Sequence, residues 1–427
     1  MFTRRRLLGS ALLLPVVNSS LGRAALAQSP AAPAGAIQTD ASVEAQLRED
    51  AAAAWSFFTR PSDALPGMVP ANIWPEDDGF GSYDIATMWD AGSIILALVA
   101  ARSIGLVDDA AFNSRVDGIQ KFLERATYTF RGWKLPNYQS QIKDGRSVEA
   151  GYDATDTGRL FVALHVLQRA TKGKFDGQAV MRRWDIGKTI TESGMQDIKN
   201  GKITPAESYI YRYYIARGAE LFSLNRTQIY TGPSPDTDAA AHNAFVDELK
   251  KIGPISSEPS LAEVVELGHS PFTRAIAKEL GSAQLQRFQR TGKLTCVSEA
   301  PIDKEPWFTY QGYDLTRDGR EDAWTVYAYT TGDQWNTKNF AATYRMINTK
   351  GAFLWYATDP QEYTKSLWQA VRLKARSEKF GYHAGIYEAS GKTPSNIDLN
   401  TNAVVLEAIA YILNGRRPLS DIEFSTQ

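Results

Sequence analysis

The chain has 427 residues, with 47 basic side chains against 48 acidic ones and a net charge of −1. That balance offers no basic face for nucleic acid, and 43% hydrophobic residues suffice to bury a core without covalent staples. The single cysteine, Cys296, excludes an intramolecular disulfide and a thiolate cluster; four scattered histidines lack metal-site spacing, so neither metal nor cofactor is expected.

Residues 1–27 read as an export signal. Thr3-Arg4-Arg5-Arg6-Leu7-Leu8 precedes an apolar run over 11–17, and Ala25-Leu26-Ala27 supplies a small-x-small cleavage pattern. Paired arginines before two leucines have the form of a twin-arginine signal, with a basic Sec signal as the alternative. Residues 28–40 open on an Ala/Pro-rich tract and read as a flexible spacer. No other stretch supplies the roughly 18 apolar residues of a stable membrane span. The mature chain is therefore expected in the periplasm or secreted, as a single domain over 41–427 with no linker dividing it.

Within that domain, apolar residues spaced three and four apart predict helices over 41–58, 88–104, 109–126, 156–170 and 207–222. The same period continues over 239–251, 271–290, 340–356, 363–375 and 401–413. Some are apolar all round, as inner helices are, and others amphipathic, as outer ones are, which points to stacked helical pairs. Residues 293–329 break the period. Thr295–Ser298, Trp307–Tyr310 and Trp324–Tyr327 favour strand, and Asp318-Gly319 favours a turn, so this stretch reads as a small β insertion.

Two of the apolar helices open on carboxylates. Met88-Trp89-Asp90 leads into residues 94–101, and Asp153-Ala154-Thr155-Asp156 leads through Arg159 into residues 160–164. A helix that apolar is buried, so the acid at its mouth is either a cap or part of a cleft floor. Trp89 and Arg159 beside them suit a carbohydrate cleft, where flat aromatic faces pack on sugar C–H groups.

Cleaving a bond between sugars takes two carboxyl groups, one protonated and one ionised. Asp156 suits the base, because the helix N-terminus favours its ionised form. Glu299, among apolar neighbours and before Pro301, suits the acid. Asp90 and Glu388 are expected in the same cleft, positioning hydroxyls or water. Trp89, Asn137, Arg159, Trp307, Tyr310, Tyr387 and Asn402 are the expected substrate contacts. Each acid taken singly is equally explained as a cap or ion pair, and Glu258, Glu266 and Glu407 also stand in unusual company. No Gly-x-Ser-x-Gly elbow and no Walker-type loop is present.

Several segments together resemble a bacterial family known as domain of unknown function 3131. They are Trp89-Asp90-Ala91-Gly92-Ser93, Leu135-Pro136-Asn137, Asp156-Thr157-Gly158-Arg159-Leu160, Glu258-Pro259, residues 291–299, Pro306-Trp307-Phe308-Thr309-Tyr310, Gly385-Ile386-Tyr387-Glu388 and residues 400–407. The resemblance implies an all-α fold, an (α/α)6 toroid related to glucoamylase-like and β-glucanase domains, here with the small β insertion. It implies a glycoside hydrolase, or hydrolase-like protein, acting on a bacterial exopolysaccharide or glucan, with an inverting course. A polysaccharide lyase using Tyr310 or His383 as base, or a non-catalytic glycan-binding accessory of exopolysaccharide production, is the alternative.

Replacing Arg4 and Arg5 together with Lys is expected to hold the precursor inside the cell, because twin-arginine recognition tolerates that exchange poorly. Cell fractionation checks this; normal export of the double variant would assign the signal to the Sec class.

Overall fold

Short polar side chains set where the helices begin. Asp40 opens α1 (Ala41–Phe58), Thr87 opens α2 (Met88–Ser103) and Asp108 opens α3 (Asp109–Arg125), each accepting first-turn N–H groups. Asp153 does the same for α4 (Ala154–Ala170) and Asp176 for the short α5 (Gly177–Met181). Then come α6 (Arg212–Glu220), α7 (Ala239–Ile252) behind its Asp238 cap, α8 (Ser260–Leu267), and α9 (Pro271–Thr291) with Ser270 as cap and proline at its first position. The last four are α10 (Lys338–Tyr344), α11 (Thr349–Thr358), α12 (Glu362–Lys374) and α13 (Leu399–Leu413).

This computed structural model describes residues 40–424, apart from 61, 77–78, 192–193, 207–209, 225–228 and 329–332. The export signal and all but the last residue of the spacer lie outside the described residues, as do the first three residues of the helix expected over 207–222 and the last of the β stretch expected over 293–329. The described residues between 40 and 424 belong to one compact unit.

Helices α2, α4, α6, α8, α11 and α13 are the buried ones. In α2 every side chain from Ala91 to Ala101 is buried, and in α13 every one from Thr401 to Ile412. α2 packs between α4 and α13; α4 continues to α6, α13 to α11, and α11 to α8. Glycines let three of them approach closely: a Cβ on Gly218 would lie 2.7 Å from the Gly158 carbonyl oxygen, and one on Gly92 would lie 3.1 Å from the Arg159 backbone. The amphipathic helices cover this layer, α1 on α13, α3 on α2, α9 on α8 and α12 on α11. α12 turns one stripe inward, Tyr363, Thr364, Leu367, Trp368 and Val371.

One cation ties the buried helices together. Arg159 of α4 is fully buried and forms ion pairs with Glu266 of α8 at 2.8 Å and Glu407 of α13 at 2.9 Å. It also donates to Ser93 of α2 at 2.8 Å and Tyr214 of α6 at 3.1 Å, while Tyr214 donates to Glu266 at 2.5 Å. Its guanidinium lies 4.9 Å from the Trp89 ring centre.

The β structure differs from the single insertion expected. The hairpin is there: Phe308–Tyr313 pairs antiparallel with Trp324–Tyr327, Tyr310 opposite Tyr327, and Ala300–Pro301 adds a third strand. Thr295–Ser298 is not a strand; Cys296 makes only an isolated bridge to Ile347. Further small sheets lie elsewhere. Asn72–Glu76 pairs with Gly79–Tyr83 and Ile397–Asp398, Met346–Asn348 with Gly385–Tyr387, and Gly194–Lys199 with Lys202–Pro205. Three of the strands, Ile85–Ala86, Met346–Asn348 and Ile397–Asp398, run directly into α2, α11 and α13. The helix expected over 340–356 is accordingly two helices, because the chain turns extended at Arg345 and Asn348 starts α11 by accepting the Gly351 N–H.

Arg159→Met is expected to destabilise the protein by about 3–5 kcal/mol, since it leaves Glu266 and Glu407 buried without their cation. Urea unfolding measures this. Adding Glu266→Gln and Glu407→Gln is expected to restore part of the loss; an unaltered midpoint in the single variant would remove Arg159 from its central role.

Candidate active site

The first turns of the buried helices carry polar groups that face one another. α2 contributes Asp90, α4 contributes Asp153 and Asp156, and α11 contributes Lys350. Asp398 caps α13, and Tyr211 and Glu258 stand just ahead of α6 and α8. Glu299 reaches the same place from the segment that leads into Ala300–Pro301. Polar residues are tolerated here because helix starts leave N–H groups to be satisfied.

Asp90 is both cap and cleft residue. Its Oδ2 accepts the Thr87 N–H at 2.9 Å, closing a capping box, while part of its surface stays open. Burial and the nearby Asp398 carboxyl push its pKa up to about 6, against the opposing pull of the Thr87 hydrogen bonds and Arg159. Asp156 is not a cap, because Asp153 holds that place and accepts the N–H groups of Thr155 and Asp156 at 2.9 and 3.0 Å. Burial, then the carboxyls of Asp153, Asp90 and Glu299, push the Asp156 pKa well above the ordinary range, although the Thr87 hydroxyl bonds to it. The expected stabilisation of an ionised Asp156 by the helix start is therefore outweighed, and Asp156 is the group that keeps a proton.

Glu299 is pushed up to about 7, first by burial and then by Glu258, while Lys350 and the Tyr211 hydroxyl favour its charged form. Lys350 stands 3.6 Å from it. Asp90, Asp156 and Glu299 thus share one electrostatic environment, and each retains some exposure. Carboxyls coupled in this way titrate as a set, holding protons near neutral pH.

Glu388 does not join them. Arg287 grips both its oxygens at 2.9 Å and Arg345 adds a third bond at 3.0 Å, with Glu321 bridging the same two arginines at 2.7 and 2.8 Å. A carboxylate held by two guanidinium groups is committed to that ion-pair cluster.

The expected substrate contacts divide as well. Arg159 is consumed by the buried network, and Trp89 is buried against it and Tyr211. Asn137 is buried and donates to the Gln139 carbonyl and Ser140 hydroxyl; Asn402 is buried and brackets the Tyr382 backbone; Tyr387 is buried and donates to Asp303. These five positions serve the fold: Arg159, Asn137, Asn402 and Tyr387 are bonded to protein groups, and Trp89 is packed against Arg159 and Tyr211. His383 bonds the Asn396 carbonyl, apart from the acids.

Tyr310 does reach the site: it lines one small cavity with Glu299, Tyr211, Gln311 and Tyr327. It stacks on Tyr327 at 5.7 Å and meets Phe308 edge-on at 5.4 Å, and Trp307 beside Phe308 is 61% exposed. A larger cavity of about 1120 Å³ adjoins it, sharing Pro254 and Tyr327 and lined by Arg317, Arg320, Arg345 and Glu388.

Lys350, Asp398 and Tyr211 escaped the sequence reading, and Glu258 was noted without a role. One signal was present: a lysine in the first turn of an apolar helix runs against the helix dipole and needs acid partners. Among the described residues, no group of three or more His, Cys, Asp or Glu side chains is arranged to hold a metal ion.

The helix-rich fold is shared with proteins of known structure. Residues 49–415 match the family described as "Protein of unknown function (DUF3131)", and the chain belongs to that family. The fold resembles an endo-β-1,2-glucanase from Chitinophaga pinensis solved with sophorotriose and glucose, at 11% identity and TM-score 0.57, covering 90% of this chain and 94% of that one. A β-1,2-glucanase from Parabacteroides distasonis is 12% identical with TM-score 0.60, over 88% of this chain and 58% of that one. A cellobiose 2-epimerase from Spirochaeta thermophila is 11% identical with TM-score 0.50, over 87% and 97%. At these identities the likeness is one of fold. No curated protein matches the sequence.

The upward shift of Asp156 fixes the sign of a stability test. Between its ordinary value of 3.8 and its folded value the folded chain binds more protons than the unfolded one, so its contribution is present at low pH and lost as pH rises. Asp156→Asn is expected to raise Tm at pH 8, with the gain shrinking toward pH 4. A loss of Tm at pH 8 would instead make Asp156 an ionised structural residue.

Proposed function

We propose that this protein is a glycoside hydrolase acting on a glucan or related oligosaccharide, with Asp156 as proton donor and Glu299 as general base. The observation that carries this is the meeting of Asp90, Asp156 and Glu299, from three distant segments, in one partly open cluster of shifted carboxyls. Pairs of titratable groups whose surroundings separate their protonation states mark acid–base sites. Asp156 has acids for neighbours and holds its proton; Glu299 has Lys350 beside it and gives its proton up more readily. This reverses the roles the helix dipole alone assigns.

The same reading takes α2, α4, α6, α8, α11 and α13 as the inner ring of a single-domain (α/α)6 toroid, with the cleft at their N-terminal ends. Arg159 reaching α2, α6, α8 and α13 supports it. Similarity of fold to the two glucanases supports a glucan as substrate, and the tyrosines at positions 310 and 327 provide faces for sugar rings. A periplasmic or secreted site of action follows from the N-terminal signal. The lyase reading loses ground: a uronate would meet carboxyls here, and Arg159 is already neutralised by Glu266 and Glu407.

Incubating the mature protein with a glycan panel that includes β-1,2-glucan, with reducing-end detection, tests the proposal. New reducing ends are expected, and Asp156→Asn and Glu299→Gln are each expected to lower kcat/KM by about 10²–10⁴-fold. Binding without cleavage of any glycan would overturn the hydrolase reading in favour of a binding protein.

A further inference from the structure

Lys350 is an expensive residue to place where it stands. It lies in the first turn of α11, where the helix dipole disfavours a cation, and its side chain is 3% exposed. Burial opposes its charge, and three carboxyls from three other segments offset that: Glu258 ahead of α8, Glu299 after α9 and Asp398 at the cap of α13. A buried ion pair of this kind adds little stability over an apolar side chain of the same size.

The two closer acids play different parts. Glu258 is fully buried, pairs directly with Lys350, and accepts from Asn400 Nδ2 at 3.2 and 3.4 Å. Asn400 accepts from Ser93 at 2.8 Å, and Ser93 accepts from Arg159 at 2.8 Å. Glu258 thus anchors Lys350 to the centre of the helical layer. Glu299, 3.6 Å away, keeps 12% of its side chain exposed on the cleft side. The titratable groups facing Glu299 are Lys350, Glu258 and Asp156, with Tyr211, Tyr310 and Tyr327 around the same cavity.

We infer that Lys350 is a positioning residue, anchored by Glu258, that holds Glu299 in place and in its carboxylate form. The inference rests on the reading of Glu299 as general base, but its test reads Glu299's ionisation without using activity.

Unfolding free energy is measured against pH in the wild type, Lys350→Met, Glu258→Gln and the double variant, each with and without Glu299→Gln. The difference within each pair reports the midpoint at which Glu299 ionises in the folded protein. Lys350→Met is expected to raise that midpoint by about one to three pH units, the worth of an opposite charge at this range. Glu258→Gln is expected to lower it, because a like charge is gone and the ammonium serves Glu299 alone. The double variant removes both members of the closest ion pair, so it strands less charge than either single variant and guards against misfolding, and its midpoint is expected above that of Glu258→Gln alone. Opposite signs from the two single variants would not arise from loosened packing. Midpoints moving in one direction in both, or equal midpoints in the double variant and Glu258→Gln, would overturn the inference. Inactivity toward glycans would leave this measurement intact and count against the hydrolase reading alone.

Discussion

The fold turns on the burial of Arg159. A guanidinium stripped of water costs several kcal/mol, and the chain accepts that cost only because four helices bring partners to it at once. Ser93, Tyr214, Glu266 and Glu407 come from α2, α6, α8 and α13, so these helices can pack in one arrangement and no other without stranding a charge. Apolar contacts between Ala-, Val- and Leu-rich helices would tolerate a slide of one turn; four directional bonds to one planar group would not. The network therefore sets register, and the glycines at 92, 158 and 218 let the backbones come close enough for it to form.

Register at the centre decides what happens at the helix ends. Apart from Glu299, the polar groups of the cleft sit within a turn of a helix start, so sliding one helix by a turn would move its acid about 5.4 Å out of the cluster. Short strands ahead of α2, α11 and α13 stiffen the approach to those starts. The chain from Arg159 through Ser93, Asn400, Glu258 and Lys350 to Glu299 makes the connection material: the residues that fix the packing and those that face the cleft belong to one contiguous polar path.

Much of this was written in local sequence, because a helix signals itself by its own periodicity and cap. α1 matches its expected bounds, and α3, α7, α9 and α12 lie within a residue of theirs. Asp90 and Asp156 stood out for the same local reason, each at the mouth of an apolar run; the structure gives the cap itself to Thr87 and Asp153, three residues earlier. What could not be read locally was pairing. Glu388 lies 101 residues from Arg287 and 43 from Arg345, so nothing near it in the chain announced that two guanidinium groups would claim it. Arg159 was misjudged likewise, its acids lying 107 and 248 residues away. The short strands outside residues 293–329 and the five-residue α5 were missed because segments of two to six residues take their form from the neighbour they meet rather than from their own pattern.

The acids sort themselves by the sign of their neighbours, and this is the step from structure to chemistry. Glu266, Glu407, Glu321 and Glu388 each have a guanidinium within 3 Å, a contact worth about 4 kcal/mol at an effective dielectric of 20. They are structural by that fact. Asp156 has three carboxyls around it, Asp90 a carboxyl on one side and a distant Arg159 on the other, and Glu299 one ammonium shared with Glu258. Burial raises all three, and the grading among them, from a carboxyl that holds its proton to one that yields it, follows where cations were placed and where they were withheld. A fold seeking stability alone would have filled those helix starts with neutral caps; the gathering of shifted carboxyls in an opening reached by tyrosines is what the proposed acid–base role rests on.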